Sequence, residues 1–242
     1  MFSIFFRKVN KQVGQTPFQL LQLLQNSTNQ KYFHTGNLDP MASGLMLYVS
    51  AKFRFLEKKL KSLTKVYEFT IIQGFNTDSN DLLGLITDYD VNNKTIDFSK
   101  KINSLPRNYI TQRPPKISRK NLKKSKISAF LNNEKLDNLP FRPVKIYYLK
   151  YLGQSTILKE DLYTYVTKSF KLLPGDFRQE KIIDLYQSNL ANFPHSFNLY
   201  KFKIKVSGGF YVRSFVRDVS EKLNKPLTTF RINRTKMGLI KL

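Results

Sequence analysis

The segment Tyr200-Lys201-Phe202-Lys203-Ile204-Lys205-Val206 alternates strictly between apolar side chains and lysines, and Ser207-Gly208-Gly209 follows it. A period of two puts every apolar group on one side of an extended chain, so this stretch reads as a β-strand with one buried face. Beyond the glycines, Val212, Phe215, Val216, Val219 and Leu223 recur at helical spacing and form one apolar stripe. Arg213 and Arg217 lie one turn apart, off that stripe. A glycine turn feeding a helix leaves backbone N–H groups free near the helix start, which favours a nearby anion. Other segments follow the same logic. Leu45–Val49 reads as a buried strand, and Val66–Phe75 and Val144–Leu152 as further strands. Residues 16–25 read as a helix capped by Thr16, with Pro17 in the first turn, Gln19 completing a capping box, and Phe18, Leu20, Leu21, Leu23 and Leu24 as its apolar face. Lys52–Leu63 is a basic helical stretch, and Glu180–Leu190 fits a helix within the less patterned residues 153–199. There are no repeats or heptads. The mixture predicts one α+β domain around a mostly antiparallel mixed sheet.

The 242 residues are 41% hydrophobic, enough for one sizeable core and too apolar for disorder. The charge is unusual: 41 Lys and Arg against 17 Asp and Glu leave a net +24. Self-repulsion of that size disfavours a compact chain, so a polyanionic partner is expected. Nucleic acid comes first and an anionic membrane second, because no segment reads as a basic amphipathic membrane helix. The abundance of Lys, Asn, Phe, Ile and Tyr without Trp reads as coding bias, to which part of the basicity belongs. From Phe98 to Asn133 there is no acidic residue, and the centre of that stretch holds Arg113, Lys116, Arg119 and Lys120. Pro114-Pro115 excludes regular helix there. It reads equally as a solvated basic loop or as a phosphate-contacting arm. No cysteine is present, which excludes disulfides, thiolate zinc sites and cysteine nucleophiles. His34 and His195 are too few for a His-rich metal site, so no metal is expected. The apolar N-terminus breaks at Arg7, too early for a signal-peptide core. No run approaches the roughly 18 apolar residues that a membrane span needs. A soluble, cytoplasmic protein is the expectation.

The chemistry concentrates in His34-Thr35-Gly36-Asn37-Leu38-Asp39-Pro40-Met41-Ala42-Ser43-Gly44. From Tyr32 to Gly44 the small residues read as a loop that brings backbone close to a ligand. Pro40 restricts Asp39 to extended geometry. On local chemistry alone, Asp39 reads first as a turn or capping residue and second as a nucleophile or base. Tyr67 reads as a core aromatic, Arg213 as a surface charge and His34 as a loop surface residue. Asp78 and Asp81 read as loop hydrogen-bond acceptors.

The segment resembles the motif H-T-G-x-L-D-P-x-A-x-G of the TruB family of tRNA pseudouridine synthases, and every fixed position agrees. Lys65-Val66-Tyr67 is similar to the family's K-x-Y strand. Thr77-Asp78-Ser79-Asn80-Asp81-Leu82-Leu83-Gly84 is similar to its T-D-x-x-D-x-x-G loop. Gly209-Phe210-Tyr211-Val212-Arg213-Ser214 resembles G-x-Y-[IV]-R-[TS]. Weaker echoes are Pro114-Pro115, Arg142-Pro143-Val144 and Arg234-Thr235-Lys236-Met237-Gly238. The resemblance implies the pseudouridine-synthase fold, a curved, mostly antiparallel mixed sheet flanked by helices and loops, as a single catalytic domain over residues 1–242. It implies an isomerase that converts uridine-55 in the T arm of tRNA to pseudouridine without metal or other cofactor. A monomer is expected separately, because no exposed apolar interface is evident from the sequence pattern. Asp39 would be the nucleophile, attacking uracil or sugar. Tyr67 would stack on the base and remove a proton. Arg213 would pair with Asp39, keeping it ionised and oriented. His34 would wedge into the space left by the flipped nucleotide, Tyr211 would line the pocket, and Arg54, Arg113, Lys116, Arg119 and Lys120 would contact RNA.

Four features depart from the pattern. Lys11-Gln12-Val13-Gly14-Gln15-Thr16-Pro17 keeps the glycine and threonine of the family's K-P-x-G-x-T-S opening. Ile117-Ser118-Arg119-Lys120-Asn121 replaces Y-S-A-L-K. Ile232-Asn233-Arg234 replaces L-R-R, and residues 153–199 look like an insertion between two strands. The sequence given carries no PUA-type RNA-binding segment after Leu242. The competing readings are a non-catalytic RNA-binding protein or tRNA-folding chaperone, and a hydrolase using Asp39 as base; the hydrolase lacks a second motif-placed carboxylate. If non-specific phosphate attraction supplies much of the affinity, tRNA binding falls unusually steeply with salt. A salt titration that gives a shallow slope contradicts this expectation.

Overall fold

The computed structural model describes residues 5–90, 92, 94–115 and 141–242. Lys116, Arg119 and Lys120 of the basic arm lie outside the described residues. The alternating segment becomes the inner part of β9 (Ser196–Val206). Phe202, Ile204 and Val206 are buried on one face. On the other face Lys203 and Lys201 approach Glu68, at 3.1 and 3.9 Å. Glu68 comes from β4 (Lys65–Gln73), which pairs antiparallel with β9 in the register Tyr67↔Ile204 and Phe69↔Phe202. The rings of that second pair stack at 5.4 Å. β10 (Leu227–Met237) flanks β4 on its other side.

The large sheet runs β1 (Phe6–Lys11), β3 (Ala42–Ser50), β10, β4, β9, β8 (Arg142–Leu158), β7 (Asn108–Gln112), with β2 (Tyr32–His34) on β3 and β11 (Ile240–Lys241) on β10. Among the strand pairs of this sheet in the described residues only β3 and β10 run parallel, so the sheet is mixed and mostly antiparallel. β5 (Phe75–Thr77) and β6 (Ile86–Tyr89) form a separate hairpin. The glycine turn leads from the end of β9 into the last helix. Its stripe residues Val212, Phe215, Val216 and Val219 are buried against Phe69, Ile71, Phe202 and Ile204, with Phe215 edge-on to Phe69 at 6.0 Å. α1 (Pro17–Thr28) carries the expected capping box between Thr16 and Gln19. Its apolar face is narrower than expected. At about 3.6 residues per turn, Leu20, Leu21 and Leu24 share one side and pack inward, while Phe18 and Leu23 fall on its flanks and stay exposed.

Three further readings change. Tyr32–Gly44 is not all loop. Tyr32, Phe33 and His34 pair with Ser50, Val49 and Tyr48, and Gly44 lies inside β3. Gly44 has φ +109°, and a Cβ there would meet the Arg234 carbonyl at 2.4 Å, so close backbone approach between β3 and β10 requires glycine. Lys52–Leu63 is a 3-10 stretch, Ala51–Leu56, running into α2 (Glu57–Ser62), because Phe53 leaves helical geometry. α3 (Phe98–Lys101) precedes β7 and is capped by Asp97. Residues 153–199 extend β8 and β9 and add two helices, α4 (Lys159–Lys171) and α5 (Gln179–Asn189). Only α5 was visible as a pattern; α4 hides because its buried stripe Leu162, Val166, Ser169, Phe170 is diluted by a serine. This helical hairpin covers a second buried cluster that includes Ile72, Phe75, Leu82, Leu83, Phe197 and Leu199. The last helix is α6 (Val212–Leu223).

Candidate active site

The loop between β2 and β3 is suspended from buried cations. Lys11, with no exposed surface, donates from Nζ to the carbonyls of Gln12 (3.0 Å), Pro40 (3.2 Å) and Ala42. Arg234, also buried, donates from Nε to the Leu45 carbonyl at 2.8 Å. Its Nη1 reaches Asn37 O at 3.2 Å and its Nη2 reaches Gly36 O at 3.4 Å. Two backbone bonds complete the loop: Ala42 N–H to Asp39 O at 3.0 Å and Gly14 N–H to Pro40 O at 3.0 Å. Leu38 points into the core. Asp39 is left facing outward with a backbone held on both sides.

A third buried cation takes its carboxylate. Arg213, in the first turn of α6, donates from Nε to Asp39 Oδ2 at 2.9 Å and from Nη2 to Asp39 Oδ1 at 3.0 Å. Such a two-point fork fixes the carboxylate plane as well as its position. Nη1 donates to the Ser79 carbonyl at 2.8 Å, and Asp81 Oδ2 lies 3.4 Å from Nε. Asp81 Oδ1 accepts from Ser79 Oγ (2.6 Å) and from the Leu83 N–H (3.0 Å). Burial works against the Arg213 charge, but Asp39 and Asp81 together raise its pKa. Burial, seconded by the negative charge of Asp39 and opposed by Arg213, raises Asp81. The side chains of Arg213 and Asp81 are 4% and 10% exposed, whereas Asp39 is 31% exposed. Asp39 is therefore the member of the cluster open to a ligand. Each of its oxygens spends one lone pair on Arg213 and keeps another free.

Tyr67 is buried on β4, in the same cluster as Leu38 and Phe210. Tyr211 precedes α6, and its backbone is clasped by buried Gln112 of β7: Gln112 Oε1 accepts from the Tyr211 N–H at 3.0 Å and Nε2 donates to its carbonyl at 3.2 Å. The Tyr211 phenol is pushed up by burial first and by Asp39 next, with Tyr67 adding and Arg142 and Arg213 opposing. Asp39, Tyr67, Tyr211 and Arg213 thus share one electrostatic neighbourhood, to which Arg142 also belongs. The surface-charge reading of Arg213 does not hold, because the helix stripe leaves its side chain in the crevice between the Asp39 and Asp81 loops. His34 stands edge-on to Tyr48 at 6.4 Å. Arg54 is exposed, 3.4 Å from Glu57 and over the Phe33 ring. Arg113 lies over the Phe141 ring, with its carbonyl accepting from Arg217. The partners of Arg54 and Arg113 thus lie outside the Asp39 cluster. Sequence reasoning does not single out Lys11, Gln112 or Arg234 as loop supports, nor Asp81 as the second carboxylate on Arg213. Lys11 stands at the lysine of the family's opening segment, and Asp81 at the second aspartate of T-D-x-x-D, so a signal existed for both.

The sheet order and the flanking helices define a mixed α+β fold shared with solved structures. A chain of the crystal structure of a Cbf5-Nop10-Gar1 complex superposes with a TM-score of 0.58 at 17% identity, covering 98% of this chain and 50% of that one. This chain therefore spans half the length of that neighbour. Residues 24–171 match the family model for TruB family pseudouridylate synthase (N terminal domain). That is more than half of the chain, and the chain belongs to this family. A tRNA pseudouridine synthase B from Borreliella burgdorferi is 27% identical over 241 residues, 98% of this chain and 71% of that protein. The enzyme of that name from Fusobacterium nucleatum is 29% identical over 231 residues, 95% and 66%. The one from Acholeplasma laidlawii is 32% identical over 165 residues, 66% and 57%.

Burial brings the Lys11 ammonium down to about 7, against the attraction of Asp39 and with the repulsion of Arg234. Its ordinary value is 10.5, so between those limits the folded chain holds fewer protons than the unfolded one, and stability from this group rises with pH. Between pH 7 and pH 9 the parent should gain about 2 kcal/mol relative to Lys11→Met. Urea unfolding at the two pH values measures this; parallel pH dependence in both proteins contradicts it.

Proposed function

We propose that this chain converts uridine-55 in the T arm of tRNA to pseudouridine, with residues 1–242 acting as one catalytic domain. The observation that carries the reading is the two-point pair between Asp39 and Arg213, in which the carboxylate alone reaches solvent. The nucleotide is flipped out of the T loop, which costs a few kcal/mol. His34 fills the space it leaves. Asp39, its plane set by Arg213, attacks the uracil ring or the ribose. The bond between C1′ and N1 breaks, the uracil turns within the pocket, and C1′ joins C5. The C5 proton leaves and N1 gains one, so the product is an isomer of the substrate. Tyr67 stacks on the turning base and removes the C5 proton, and Tyr211 closes the wall. No net oxidation or hydrolysis occurs, so the reaction calls for neither metal nor redox cofactor.

Arg54, Arg113, Lys116, Arg119 and Lys120 hold phosphates, consistent with the net charge of +24. The working form is a monomer in the cytoplasm. The curated relatives named tRNA pseudouridine synthase B support the substrate. Incubating the protein with unmodified T-arm RNA, with no cofactor added, should yield pseudouridine at position 55. Asp39→Asn should abolish the product while leaving RNA affinity within about tenfold of the parent. Tight binding by both proteins with no pseudouridine from either would instead make this a non-catalytic RNA-binding protein.

A further inference from the structure

We propose that the helical hairpin inserted between β8 and β9 is a brace for the active site, with Arg178 as its positioning residue; the catalytic part of this inference rests on the function proposed above. Arg178 begins α5 in left-handed geometry, φ 65°, with its N–H bonded to Asp176 at 2.7 Å. That turn aims the guanidinium away from the hairpin and onto the loop between β5 and β6. Nη1 donates to Asp78 Oδ2 at 2.8 Å and Nη2 to Asp78 Oδ1 at 3.2 Å. Asp78 Oδ1 also accepts from the Leu85 N–H at 2.9 Å, so its carboxylate ties the two ends of the loop together. The next residue is Ser79, whose carbonyl accepts from Arg213 and whose hydroxyl donates to Asp81. Two hydrogen bonds and one peptide bond therefore connect Arg178 to the guanidinium that orients Asp39.

The hairpin also touches the other half of the cradle. Leu172, at the end of α4, lies against the Gly14 backbone, where a Cβ would meet Leu172 Cβ at 2.4 Å. Gly14 donates to Pro40 O, immediately after Asp39. Met41, two residues after Asp39, shares the second buried cluster with Leu162, Val166, Phe170 and Leu173 of the hairpin region, and with Leu82 and Leu83 beside Asp81. Apolar packing beneath and an ion pair at the rim thus hold the Asp39 and Asp81 loops at one spacing.

The test is kinetic and dynamic. Arg178→Ala should lower kcat about tenfold while KM for T-arm RNA stays within about threefold. Its thermal midpoint should stay within about 3 °C of the parent, because an ion pair 36% and 28% exposed contributes little to stability. Arg178→Lys keeps the charge but not the fork and should recover part of the loss. Asp78→Asn keeps an acceptor for Leu85; because Arg178 acts through Asp78, the double variant should be no slower than Asp78→Asn alone. Lys181→Ala, exposed on the same hairpin, should match the parent. A parental kcat in Arg178→Ala, or losses that simply multiply in the double variant, overturns the proposal. If the parent makes no pseudouridine, the function fails but the brace is still read by amide exchange. The Leu83 and Leu85 amides, which donate to Asp81 and Asp78, should exchange at least about tenfold faster in Arg178→Ala. Unchanged exchange overturns the brace.

Discussion

A guanidinium buried to 4% exposure cannot stand alone in a protein interior, and Arg213 dictates what must surround it. Among the described partners that answer it are two carboxylates and one carbonyl, from two loops that are far apart in sequence. Because the answer is shared, neither loop can drift without stranding charge. Asp39 gains orientation from this need and keeps free lone pairs on the open side. Asp81 is the opposite case: buried, doubly hydrogen-bonded and closed to ligands. One cation thus separates two aspartates into one open to solvent and one buried and structural.

The same economy runs through the supporting residues. Lys11 and Arg234 are long cations that end on backbone carbonyls of the Asp39 loop instead of on acids. Their charges repel one another and are tempered by Asp39. A loop rich in small residues would otherwise sample many conformations, and ordering it costs entropy at every residue. Anchoring its carbonyls at Gly36, Asn37 and Pro40 moves that cost into folding, before substrate arrives.

Much of this was legible in the chain. The strict alternation at 200–206 and the helical stripe at 212–223 announced the strand and helix that place Arg213. The motif around Asp39 announced the exposed carboxylate that Arg213 holds. What stayed hidden depends on partners distant in sequence. Nothing local says that Arg213 is buried, because its surroundings come from Asp39, 174 positions away, and Ser79, 134 away. Lys11 looks like one lysine among many in a chain with a net +24, unless it is aligned with the lysine of the family's opening segment. The Tyr32–His34 strand is masked by the polar loop it enters, and the hairpin helix α4 by weak patterning. Arg178 carries no signal at all until its fork is seen on Asp78.

The claim that one buried cation requires both carboxylates is most directly tested by a double-mutant cycle on stability. Arg213→Gln in the parent should cost about 3 kcal/mol or more in urea unfolding, because it leaves Asp81 buried without its counter-charge. In an Asp81→Asn background the same substitution should cost at least about 1 kcal/mol less. Equal costs in the two backgrounds would mean that Arg213 and Asp81 do not depend on each other, and the account of the site would be contradicted.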